Sequence, residues 1–436
     1  MKIGIVGLGF VGLSFASVLA SKGFNVVGID NDKKKVQTIS LGRVPFFEPG
    51  LNIVLKKALK NGLKLSTKIE DSVKKCQFIF VTVGTPLDKN GNINLKMVLD
   101  VCKKIGLILS KTKNKPIIVI KSTVIPGTTT NEIKKTLEQK SQKKAWKDFG
   151  LLTNPEFLRE GRAIKDTVEP HLIVIGGTNK KEILKLKKFY KKFYKKFIPI
   201  IITNNTTAEV IKYANNSFLA TKISFINSMA NLCQKLPGTN IDDVANAIGI
   251  DPRIGKQFLN AGPGYGGSCL PKDIQAMIRV FTKIGEKPLL LNAVQETNSL
   301  QVTKIVKLVE TELGNLKNKQ ITILGLSFKE ESDDIRESVS IKLIKILLKK
   351  QAKIQVHDPK AIKNTQKIFG EKVKYYSKIN DSLKKSHCAI IMTPWKQYTK
   401  LKNSDLQKMS KKIVIDTRRI LSLKEKDLKY IGLGIG

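Results

Sequence analysis

The feature that most constrains the fold is the regular alternation, over the first 200 residues, of short apolar runs with segments of helical apolar spacing. The apolar runs have the length of β-strands, and they are Lys2–Val6, Asn25–Ile29, Phe78–Val83, Ile117–Ile120, Gly150–Thr153 and Leu172–Ile175. Strands that alternate with helices form βαβ units, which bring the strands together in a parallel sheet. This part of the chain is therefore predicted to be an α/β domain.

The pattern changes twice beyond this region. From about residue 206 to residue 309 it becomes helical, and Ala208–Gln234 is predicted to be one long helix. Strand-like runs then return at Gln320–Gly325, Lys353–His357, Cys388–Met392 and Lys412–Asp416. A chain of 436 residues is also too long for one ordinary hydrophobic core. We therefore expect two α/β units, the second of them smaller, separated by a helical region.

A glycine-rich segment connects the first strand to the first helical pattern. Gly7-Leu8-Gly9-Phe10-Val11-Gly12 fits G-x-G-x-x-G, and Asp30 closes the next strand. Gly7 permits the tight turn, Gly9 lets backbone N–H groups approach a pyrophosphate, and Gly12 lets the helix pack closely on the strand. The helix N-terminus favours negative charge, and Asp30 would bind a ribose diol but repel a 2′-phosphate. The segment therefore predicts a dinucleotide site that prefers NAD to NADP.

Polar, turn-forming residues follow three of the predicted strands. They are Gly84-Thr85-Pro86, Lys121-Ser122-Thr123 and Asn154-Pro155-Glu156. Ligands of parallel sheets bind beyond the carboxyl ends of the strands. Each segment alone is typical of a turn or a helix cap, but three of them beside a dinucleotide motif favour a catalytic rim.

The segment Gly264–Asp273 contains a cysteine in a special position. Pro271 suits the first turn of a helix, so Cys269 lies just before a helix N-terminus and beside Lys272. Both features lower the pKa of a thiol and make it a better nucleophile. Asp273 is four residues further on and therefore on the same helix face. The other cysteines lie in apolar or helical contexts and are predicted to be buried and inert: Cys76, Cys102, Cys233 and Cys388.

The formal net charge of +42 is typical of proteins that bind nucleic acid. However, only eight of the 78 basic residues are Arg, and the Lys residues are spread along the whole chain. Nucleic-acid readers favour Arg, whose planar fork makes bidentate contacts with bases. The charge therefore fits a solvated Lys-rich surface or an anionic small substrate better than a specific nucleic-acid site.

Composition also limits the cellular context. No apolar run reaches the roughly 20 residues that cross a bilayer, so we expect no membrane partner. The apolar N-terminus resembles a signal peptide, but glycines interrupt it and a second strand follows, so we expect a cytoplasmic protein. Five Cys without a C-x-x-C pair, together with three His, favour reduced thiols and no metal site.

Taken in order, the motifs resemble those of the UDP-glucose/GDP-mannose dehydrogenase family over nearly the whole chain. They are Gly7–Gly12, Glu48-Pro49-Gly50, Val83–Pro86, Ser122-Thr123-Val124, Asn154–Gly161, Lys212 with Asn216, Arg253-Ile254-Gly255, Gly264–Asp273, Gly325–Arg336 and Asp416-Thr417-Arg418. The resemblance implies the α/β class, with two Rossmann-like doubly wound parallel-sheet domains joined by a helical domain. It implies NAD binding by residues 1–200, homodimer formation through the long helix of a central helical domain that spans residues 201–312, and UDP-sugar binding by residues 313–436.

The chemistry that the resemblance implies is a four-electron oxidation of a sugar C6 alcohol with two NAD. Cys269 would attack the intermediate aldehyde, and oxidation of the thiohemiacetal would give a thioester. Lys212 and Asn216, four residues apart on the long helix, would donate hydrogen bonds to the oxygen at C6. Asp273 and Thr123 would hold a water molecule that takes the alcohol proton and later attacks the thioester.

The remaining implied roles concern hydrolysis and binding. Glu156 would act as the general base in thioester hydrolysis. The cofactor contacts implied are Gly7, Gly9, Phe10, Val11, Gly12, Asp30, Thr85, Thr123, Glu160, Lys272 and Arg336. The substrate contacts implied are Glu156, Phe157, Leu158, Lys212, Asn216, Arg253, Phe258, Tyr265, Gly266, Lys329 and Arg418.

The rare arginines and the second glycine turn carry further expectations from the resemblance. Arg253 would reach across the dimer interface to the substrate, and Arg418 would lie near the substrate of its own subunit. Gly325-Leu326-Ser327 lacks the G-x-G-x-x-G pattern, so the second α/β unit is not expected to hold a second NAD. Asp358 nevertheless ends the second strand of that unit.

Substrate choice within the family depends on few positions. Ser268 before the cysteine and Lys272 after it resemble the UDP-glucose and GDP-mannose types, and Gly262–Tyr265 is closer to UDP-glucose enzymes. We therefore expect UDP-glucose, with GDP-mannose or a UDP-N-acetylhexosamine as the alternative. A two-electron dehydrogenase of the β-hydroxyacid type is a more distant alternative, which would need neither the thiol nor the third domain. A non-catalytic nucleotide-sugar-binding protein would not need the catalytic residue types that are all present here.

Overall fold

The structure is a computed structural model that describes residues 1–422 and 427–436. The chain divides into two compact units, Met1–Asn215 and Asn216–Gly436. Within the described residues, the first unit contains one eight-stranded sheet and the second contains one six-stranded sheet. Both sheets are surrounded by helices, which confirms the predicted α/β class with two Rossmann-like sheets.

The sheet of the first unit has the order β3-β2-β1-β4-β5-β6-β7-β8. Its strands are β1 (Lys2–Val6), β2 (Asn25–Ile29), β3 (Lys64–Ser66), β4 (Phe78–Val81), β5 (Ile117–Ile120), β6 (Gly150–Thr153), β7 (Ile173–Gly176) and β8 (Ile200–Thr203). Along this order, the five strand pairs from β3 through β6 are all parallel. Their carboxyl ends therefore share one edge, where ligands of doubly wound sheets bind.

One strand departs from the predicted parallel arrangement. The run predicted at Leu172–Ile175 forms β7, but β7 pairs with β6 in the antiparallel direction. The connection between them contains only the six-residue helix Ala163–Val168. Such a helix is about 9 Å long, too short for the full helical crossover that usually joins parallel strands.

Alternate residues of the central strands supply two separate cores in the first unit. Phe78 and Phe80 of β4 face one cluster, whereas Ile79 and Val81 face the other. A strand buried on both faces is characteristic of a sheet covered by helices on each side. The covering helices are α1 (Phe10–Ser21), α2 (Lys33–Ser40), α3 (Leu51–Lys60), α4 (Glu70–Val73), α5 (Lys96–Leu109), α6 (Lys134–Ser141), α7 (Ala163–Val168) and α8 (Lys180–Phe193).

The predicted long helix is α9 (Asn205–Cys233), which begins three residues before the predicted start at Ala208. It is followed by α10 (Ile241–Ile250), α11 (Leu270–Lys283), α12 (Leu289–Leu313), α13 (Val339–Lys349), α14 (Ile362–Phe369), α15 (Ile379–Leu383) and α16 (Asn403–Leu406). Together, α9 to α12 form the helical region that the sequence predicts between the two sets of strands.

The sheet of the second unit has the order β11-β10-β9-β12-β13-β14, with parallel pairing throughout its described strands. The strands are β9 (Gln320–Leu324), β10 (Lys353–His357), β11 (Lys374–Tyr376), β12 (Cys388–Ile391), β13 (Ile413–Asp416) and β14 (Lys429–Gly432). Across residues 1–422 and 427–436, no helix combines the length and apolar character that crossing a bilayer requires.

Candidate functional site

The glycine turn of the first unit has the shape that the sequence predicts. Gly7 follows β1 with a φ of +101°, and α1 begins at Phe10, directly followed by Val11. A Cβ atom at Gly12 would lie 1.8 Å from the carbonyl oxygen of Gly7, so this position requires glycine. A Cβ atom at Gly9 would have no described atom within 4 Å, which leaves open space at the helix start. These residues fit a dinucleotide, whose pyrophosphate binds at such an open helix N-terminus.

Asp30 lies beside this turn and is oriented by it. Its Oδ2 accepts the Leu8 N–H at 2.8 Å, and its Oδ1 accepts the Asp32 N–H at 3.1 Å. The side chain is 6% exposed, and the Lys35 Nζ atom lies 2.9 Å from its Oδ2. The sequence predicts Asp30 at this position but not its pairing with Lys35.

The loops after β4 and β5 are tied together at the same edge of the sheet. The Thr85 hydroxyl donates to the Thr123 carbonyl at 2.7 Å, and the Ser122 hydroxyl donates to the Val83 carbonyl at 2.7 Å. The structure therefore brings Thr85 and Thr123, both predicted cofactor contacts, into direct contact.

A second group of predicted residues meets at the end of β6. The Lys212 Nζ atom lies 3.4 Å from Glu156 Oε1, and both side chains are less than one-tenth exposed. The Leu158 N–H donates to the other Glu156 oxygen, and the Lys212 ammonium lies 5.2 Å from the ring centre of Phe157. We call these four residues the Glu156 cluster. It joins a carboxylate and an ammonium in a buried environment, a pairing suited to proton transfer and to stabilising an anionic oxygen.

Glu48 fixes the loop that follows the Glu156 cluster. Its carboxylate accepts the N–H groups of Gly161 and Ala163, each at 2.7 Å. Glu160, a predicted cofactor contact, lies half-buried in the same loop. The sequence motifs include Glu48-Pro49-Gly50 but do not indicate this partner, because the two segments are more than 100 residues apart.

A lysine that the sequence assigns to no role also lies in this region. Lys121 follows β5, is 9% exposed, and donates from Nζ to the Asn154 Oδ1 at 3.0 Å. Burial lowers the pKa of Lys121 to about 8; the carboxylate of Glu156 opposes this effect and the ammonium of Lys212 adds to it. Lys121 and Asn154 each begin one of the polar segments predicted at the strand ends.

In the second unit, Cys269 occupies the predicted position at a helix start. It directly precedes α11, Pro271 lies in the first turn, and the Asp273 N–H donates to the Cys269 carbonyl at 2.9 Å. The Cys269 side chain is exposed, with the Ser268 hydroxyl oxygen 3.6 Å from its sulfur.

The other four cysteines are buried, which confirms the prediction for them. They are Cys76, Cys102, Cys233 and Cys388. Burial raises the pKa of Cys76 to about 11 and that of Cys102 to about 12, and it also raises the pKa of Cys388. A thiol with a raised pKa is a poor nucleophile at neutral pH. Among the five cysteines, Cys269 is the one with an exposed side chain.

Asp273 is held from two sides. The Asn216 amide donates to its Oδ2 at 2.6 Å, and the Lys272 ammonium donates to its Oδ1 at 2.6 Å. The carboxylate is 1% exposed. We call Asn216, Lys272 and Asp273 the Asp273 cluster. Lys272, predicted to lie beside the thiol, thus directs its ammonium to the neighbouring carboxylate.

The glycines before Cys269 are required by packing. Gly267 has a φ of +83°, and a Cβ atom there would lie 2.7 Å from the ring of Phe328. A Cβ atom at Gly266 would lie 2.4 Å from the carbonyl oxygen of Glu337. Tyr265 is buried, and its backbone N–H donates to the Asn298 side chain at 2.7 Å.

The predicted arginine contacts differ in their surroundings. Arg253 and Arg336 are exposed, and each pairs at 2.6 Å with an aspartate two residues before it in the sequence. Exposed pairs of this kind are weak, so either guanidinium can turn to a ligand at little cost. Arg418 is half-buried and donates to the Met392 carbonyl at 3.0 Å, and burial lowers its pKa to about 10.

Two further predicted substrate contacts lie in loops of the second unit. Phe258 has a φ of +66°, which is uncommon for a residue with a side chain. The Lys329 ammonium lies 6.0 Å from the ring centre of Phe328, the residue that packs against Gly267.

Among the described residues, no group of three or more His, Cys, Asp or Glu is arranged to hold a metal ion.

Three family models match the chain in succession. They are the NAD-binding domain (residues 1–194), the central domain (residues 206–300) and the UDP-binding domain (residues 322–423) of the UDP-glucose/GDP-mannose dehydrogenase family. Similar proteins include UDP-glucose 6-dehydrogenase TuaD of Bacillus subtilis, 37% identical over 97% of this chain and 90% of that protein. The UDP-glucose 6-dehydrogenase of Rickettsia prowazekii is 38% identical over 100% of this chain and 99% of that protein.

A solved structure extends the likeness to three dimensions. The UDP-glucose dehydrogenase of the hyperthermophilic archaeon Pyrobaculum islandicum superposes with a TM-score of 0.91 at 33% identity. The match covers 100% of this chain and 98% of that one. Both the order of the domains and the fold therefore agree with the sequence comparisons.

Proposed function

The chain belongs to the UDP-glucose/GDP-mannose dehydrogenase family, and we propose that this NAD-dependent nucleotide-sugar dehydrogenase oxidises the C6 hydroxyl of UDP-glucose to the carboxylate of UDP-glucuronate. The observation that carries the proposal is the exposed thiol of Cys269 at the start of α11, one turn before the buried Asp273. A two-electron alcohol dehydrogenase would have no use for a thiol in this position. The similar proteins named above act on UDP-glucose by their names, which supports that substrate.

Cys269 is the proposed nucleophile. It lies at a helix N-terminus, where the positive end of the helix dipole favours a thiolate. Attack of the thiolate on the C6 aldehyde gives a thiohemiacetal, and oxidation of that adduct gives a thioester. NAD, when bound at the glycine turn, accepts a hydride from C6 in each of the two oxidations.

The oxygen at C6 needs donors while it carries negative charge. Lys212 and Asn216 lie one turn apart on α9, and we propose that both donate hydrogen bonds to this oxygen. The Asn216 amide donates an N–H to Asp273, which fixes the orientation of the amide.

Two carboxylates are proposed to manage water and protons. Asp273, with Thr123, would hold the water that takes the alcohol proton and later attacks the thioester. The hydrogen bonds from Asn216 and Lys272 fix the Asp273 carboxylate in place. Glu156 would act as the general base in hydrolysis, with its carboxylate oriented by the Leu158 N–H and paired with Lys212.

We also propose a homodimer formed through α9, with the domains 1–200, 201–312 and 313–436. Phe218, Phe225 and Leu232 are exposed and recur every seven residues along this helix. Apolar residues at heptad spacing form the contact seam of paired helices. The proposal extends to Arg253, which would reach the substrate of the neighbouring subunit.

The dimer proposal has a complementation test. Subunits carrying Arg253→Ala are mixed with subunits carrying Cys269→Ala, and both kinds alone should be inactive. Exchange would rebuild one complete site per mixed dimer and restore activity. No recovery, despite exchange proven by differential tags, would contradict the role of Arg253 across the interface.

The substrate proposal is tested by NADH formation with a panel of sugars. The panel contains UDP-glucose, GDP-mannose, UDP-N-acetylglucosamine and UDP-N-acetylmannosamine at equal concentrations. We expect kcat/KM to be at least about tenfold higher for UDP-glucose than for the others, since mispaired polar groups in a site cost that much or more. A higher value for GDP-mannose or a UDP-N-acetylhexosamine would assign the chain to that alternative.

A pair of cysteine variants tests the nucleophile. Cys269→Ala should reduce steady-state turnover by on the order of a thousandfold, as expected for loss of a covalent nucleophile. Cys233→Ala is the matched control, since that thiol is buried near the end of α9. Near-normal turnover of Cys269→Ala would show that the thiol has no part in the reaction.

A further inference from the structure

Lys121 is a buried lysine to which the proposed reaction assigns no role. Its Nζ donates to the Asn154 amide oxygen at 3.0 Å and lies 5.3 Å from the ring centre of Phe15. The same amide oxygen accepts a hydrogen bond from the Tyr190 hydroxyl. An ammonium has three N–H donors, so this single acceptor among the described side chains does not satisfy a permanently charged Lys121. Burial of a charge with so few partners is costly.

A cavity of about 40 Å³ connects Lys121 with Glu156. Both residues line it, as do Asn154, Tyr190 and the exposed His171. A buried water needs roughly 10–15 Å³ of such space and two to four polar partners, so the cavity has room for about three waters. Water can therefore bridge the amine of Lys121 and the carboxylate of Glu156.

The charged and titratable groups that face Lys121 come from several elements. They are Glu156, Asp166, His171, Tyr190, Tyr194 and, from α9, Lys212. Asp166 is already paired with Arg159 at 2.7 Å, and burial raises the pKa of both Tyr190 and Tyr194. Burial lowers the pKa of His171, which favours the neutral ring. Glu156 and Lys212 are therefore the charged groups that interact electrostatically with Lys121 near neutral pH.

Lys121 itself changes charge close to neutral pH. Burial lowers its pKa to about 8, so the amine is mostly protonated below pH 8 and mostly neutral above it. An exposed lysine, with an ordinary pKa near 10.4, stays charged over this range. Lys121 can thus both accept and release a proton near pH 8.

We propose that Lys121 takes up, through water in this cavity, the proton that Glu156 removes during thioester hydrolysis, and so returns Glu156 to its carboxylate form. The inference rests on the thioester route proposed above. Because Lys121 acts through Glu156 and does not touch the reacting atoms, it is a positioning residue.

The step balances without any transfer of electrons to or from a cofactor. An O–H bond of the attacking water breaks, its oxygen bonds to C6, and its proton passes to Glu156. The bond between C6 and the Cys269 sulfur breaks, and the sulfur leaves as a thiolate. The proton on Glu156 then moves through the cavity water to the neutral amine of Lys121. The resulting ammonium releases its proton to solvent at the mouth of the cavity beside His171.

The test measures hydrolysis separately from oxidation. Enzyme is mixed with NAD and a stoichiometric amount of UDP-glucose between pH 6 and pH 10, and intact mass spectrometry of quenched samples follows the decay of the Cys269 thioester. For the wild type, the decay rate should rise with pH and level off above about pH 8, because only the neutral amine accepts a proton. A rate that does not change across pH 8 would overturn the proposal.

Two substitutions at Lys121 separate proton uptake from charge. Lys121→Met keeps a stem of similar length without an amine, and Lys121→Arg keeps the charge but cannot lose a proton. Both should slow decay of the thioester about tenfold or more at pH 8.5, and both should lose the rise with pH. The expected factor is smaller than the roughly hundredfold or more that a direct general acid–base group contributes, because Lys121 acts through Glu156. A Lys121→Arg enzyme with the rate and pH profile of the wild type would show that charge alone matters, which would overturn the proposal.

Controls distinguish this inference from the function on which it rests. Lys143→Met removes a half-buried lysine at the opposite end of the sheet, where its ammonium donates to two backbone carbonyls, and it should keep the wild-type profile. Accumulation of the thioester in Lys121→Met would itself show that this variant folds and oxidises the sugar. If Lys121→Met fails to fold, Lys121→Arg and the wild-type profile still decide. If the wild type forms no adduct on Cys269, the thioester route and this inference are both wrong.

Discussion

The two sheets begin in the same way and then diverge. In the first unit, Gly7 follows β1 at a φ of +101°, and α1 starts three residues later at Phe10. In the second unit, Gly325 follows β9 at a φ of +98°, but the next helix, α13, starts only at Val339. A pyrophosphate binds where backbone N–H groups at a helix start point at it. The first turn has this arrangement directly after its strand, and the second does not.

The acidic residues that follow the second strand of each sheet differ in the same sense. Asp30 accepts hydrogen bonds from two backbone N–H groups and from the ammonium of the half-buried Lys35. Asp358 is 2% exposed and accepts four backbone N–H groups, one hydroxyl and one indole N–H. The donors to Asp358 belong to Leu326, Ser327, Lys360, Ala361 and Trp395.

This comparison teaches that an acidic residue at the end of a strand is not by itself a ribose site. The carboxylate oxygens of Asp358 already accept hydrogen bonds from the protein itself. These bonds hold the loops after β9 and β10 together. Asp30 has fewer donors, and one of them is the Lys35 side chain, which can move away from a ligand. The number of donors that the fold supplies therefore decides whether a carboxylate remains for a ligand.

The largest expected difference between the two glycine turns is in NAD binding. Substitution in the first turn should weaken NAD binding, whereas substitution in the second should lower only the stability of the fold. In Gly12→Ala, the new Cβ would lie 1.8 Å from the Gly7 carbonyl oxygen, so the turn must deform. We expect NAD affinity to fall by about a hundredfold or more, equivalent to about 2.7 kcal/mol. Isothermal titration with NAD measures this loss.

Gly325→Ala is the matched control for the second turn. Its Cβ would lie 2.5 Å from Thr393, so we expect a lower melting temperature. NAD affinity, measured at a temperature at which the variant remains folded, should stay within about twofold of the wild type. An equal loss of NAD affinity in both variants would contradict the difference between the turns.

The two aspartates should give opposite results in a paired experiment. The wild type should prefer NAD to NADP by at least about tenfold in kcat/KM, because a 2′-phosphate would face the Asp30 carboxylate. Asp30→Ala should reduce this ratio toward one with a small change in stability. Asp358→Ala should keep the ratio but lower the free energy of unfolding by about 3 kcal/mol, because several buried donors lose their acceptor. A changed cofactor ratio in Asp358→Ala would refute the assignment.

The smallest expected effect is that of Lys35 on the preference for NAD over NADP. Its ammonium lies 2.9 Å from Asp30 and is about one-third exposed, so it offsets part of the carboxylate charge. Lys35→Met should raise the preference for NAD over NADP about two- to threefold, a small effect since exposed ion pairs are weak. Lys34→Met, which removes the neighbouring exposed lysine, is the control and should leave the ratio unchanged. A lower preference in Lys35→Met would mean that Lys35 contacts the ribose of NAD.

Burial explains which strands could be predicted from the sequence. The ten predicted strands are all present, with ends that shift by one or two residues in β4, β7, β9, β12 and β13. The four that the sequence does not indicate are β3, β8, β11 and β14, and each forms an edge of its sheet. They have three or four residues and are largely exposed or half-buried. Three of them, β3, β11 and β14, lack the continuous apolar run of a central strand, whereas β8 has three successive isoleucines and is an apolar strand that the sequence analysis did not identify.

A similar division applies to the candidate site. Features encoded in a single segment could be predicted: the Gly7–Gly12 turn and the start of α11 after Cys269 are where the motifs indicate. Partners that the fold brings together from distant segments could not, and these include Glu48 with Gly161 and Lys121 with Asn154. The roles assigned to the site residues remain predictions.

The central claim is that one carbon loses two hydrides before the product leaves. The most direct measurement is the ratio of NADH formed to UDP-glucose consumed, with a limiting amount of sugar and excess NAD allowed to react to completion. A four-electron oxidation through a thioester on Cys269 predicts two NADH for each UDP-glucose. A ratio of one would contradict it and would identify a simple alcohol dehydrogenase.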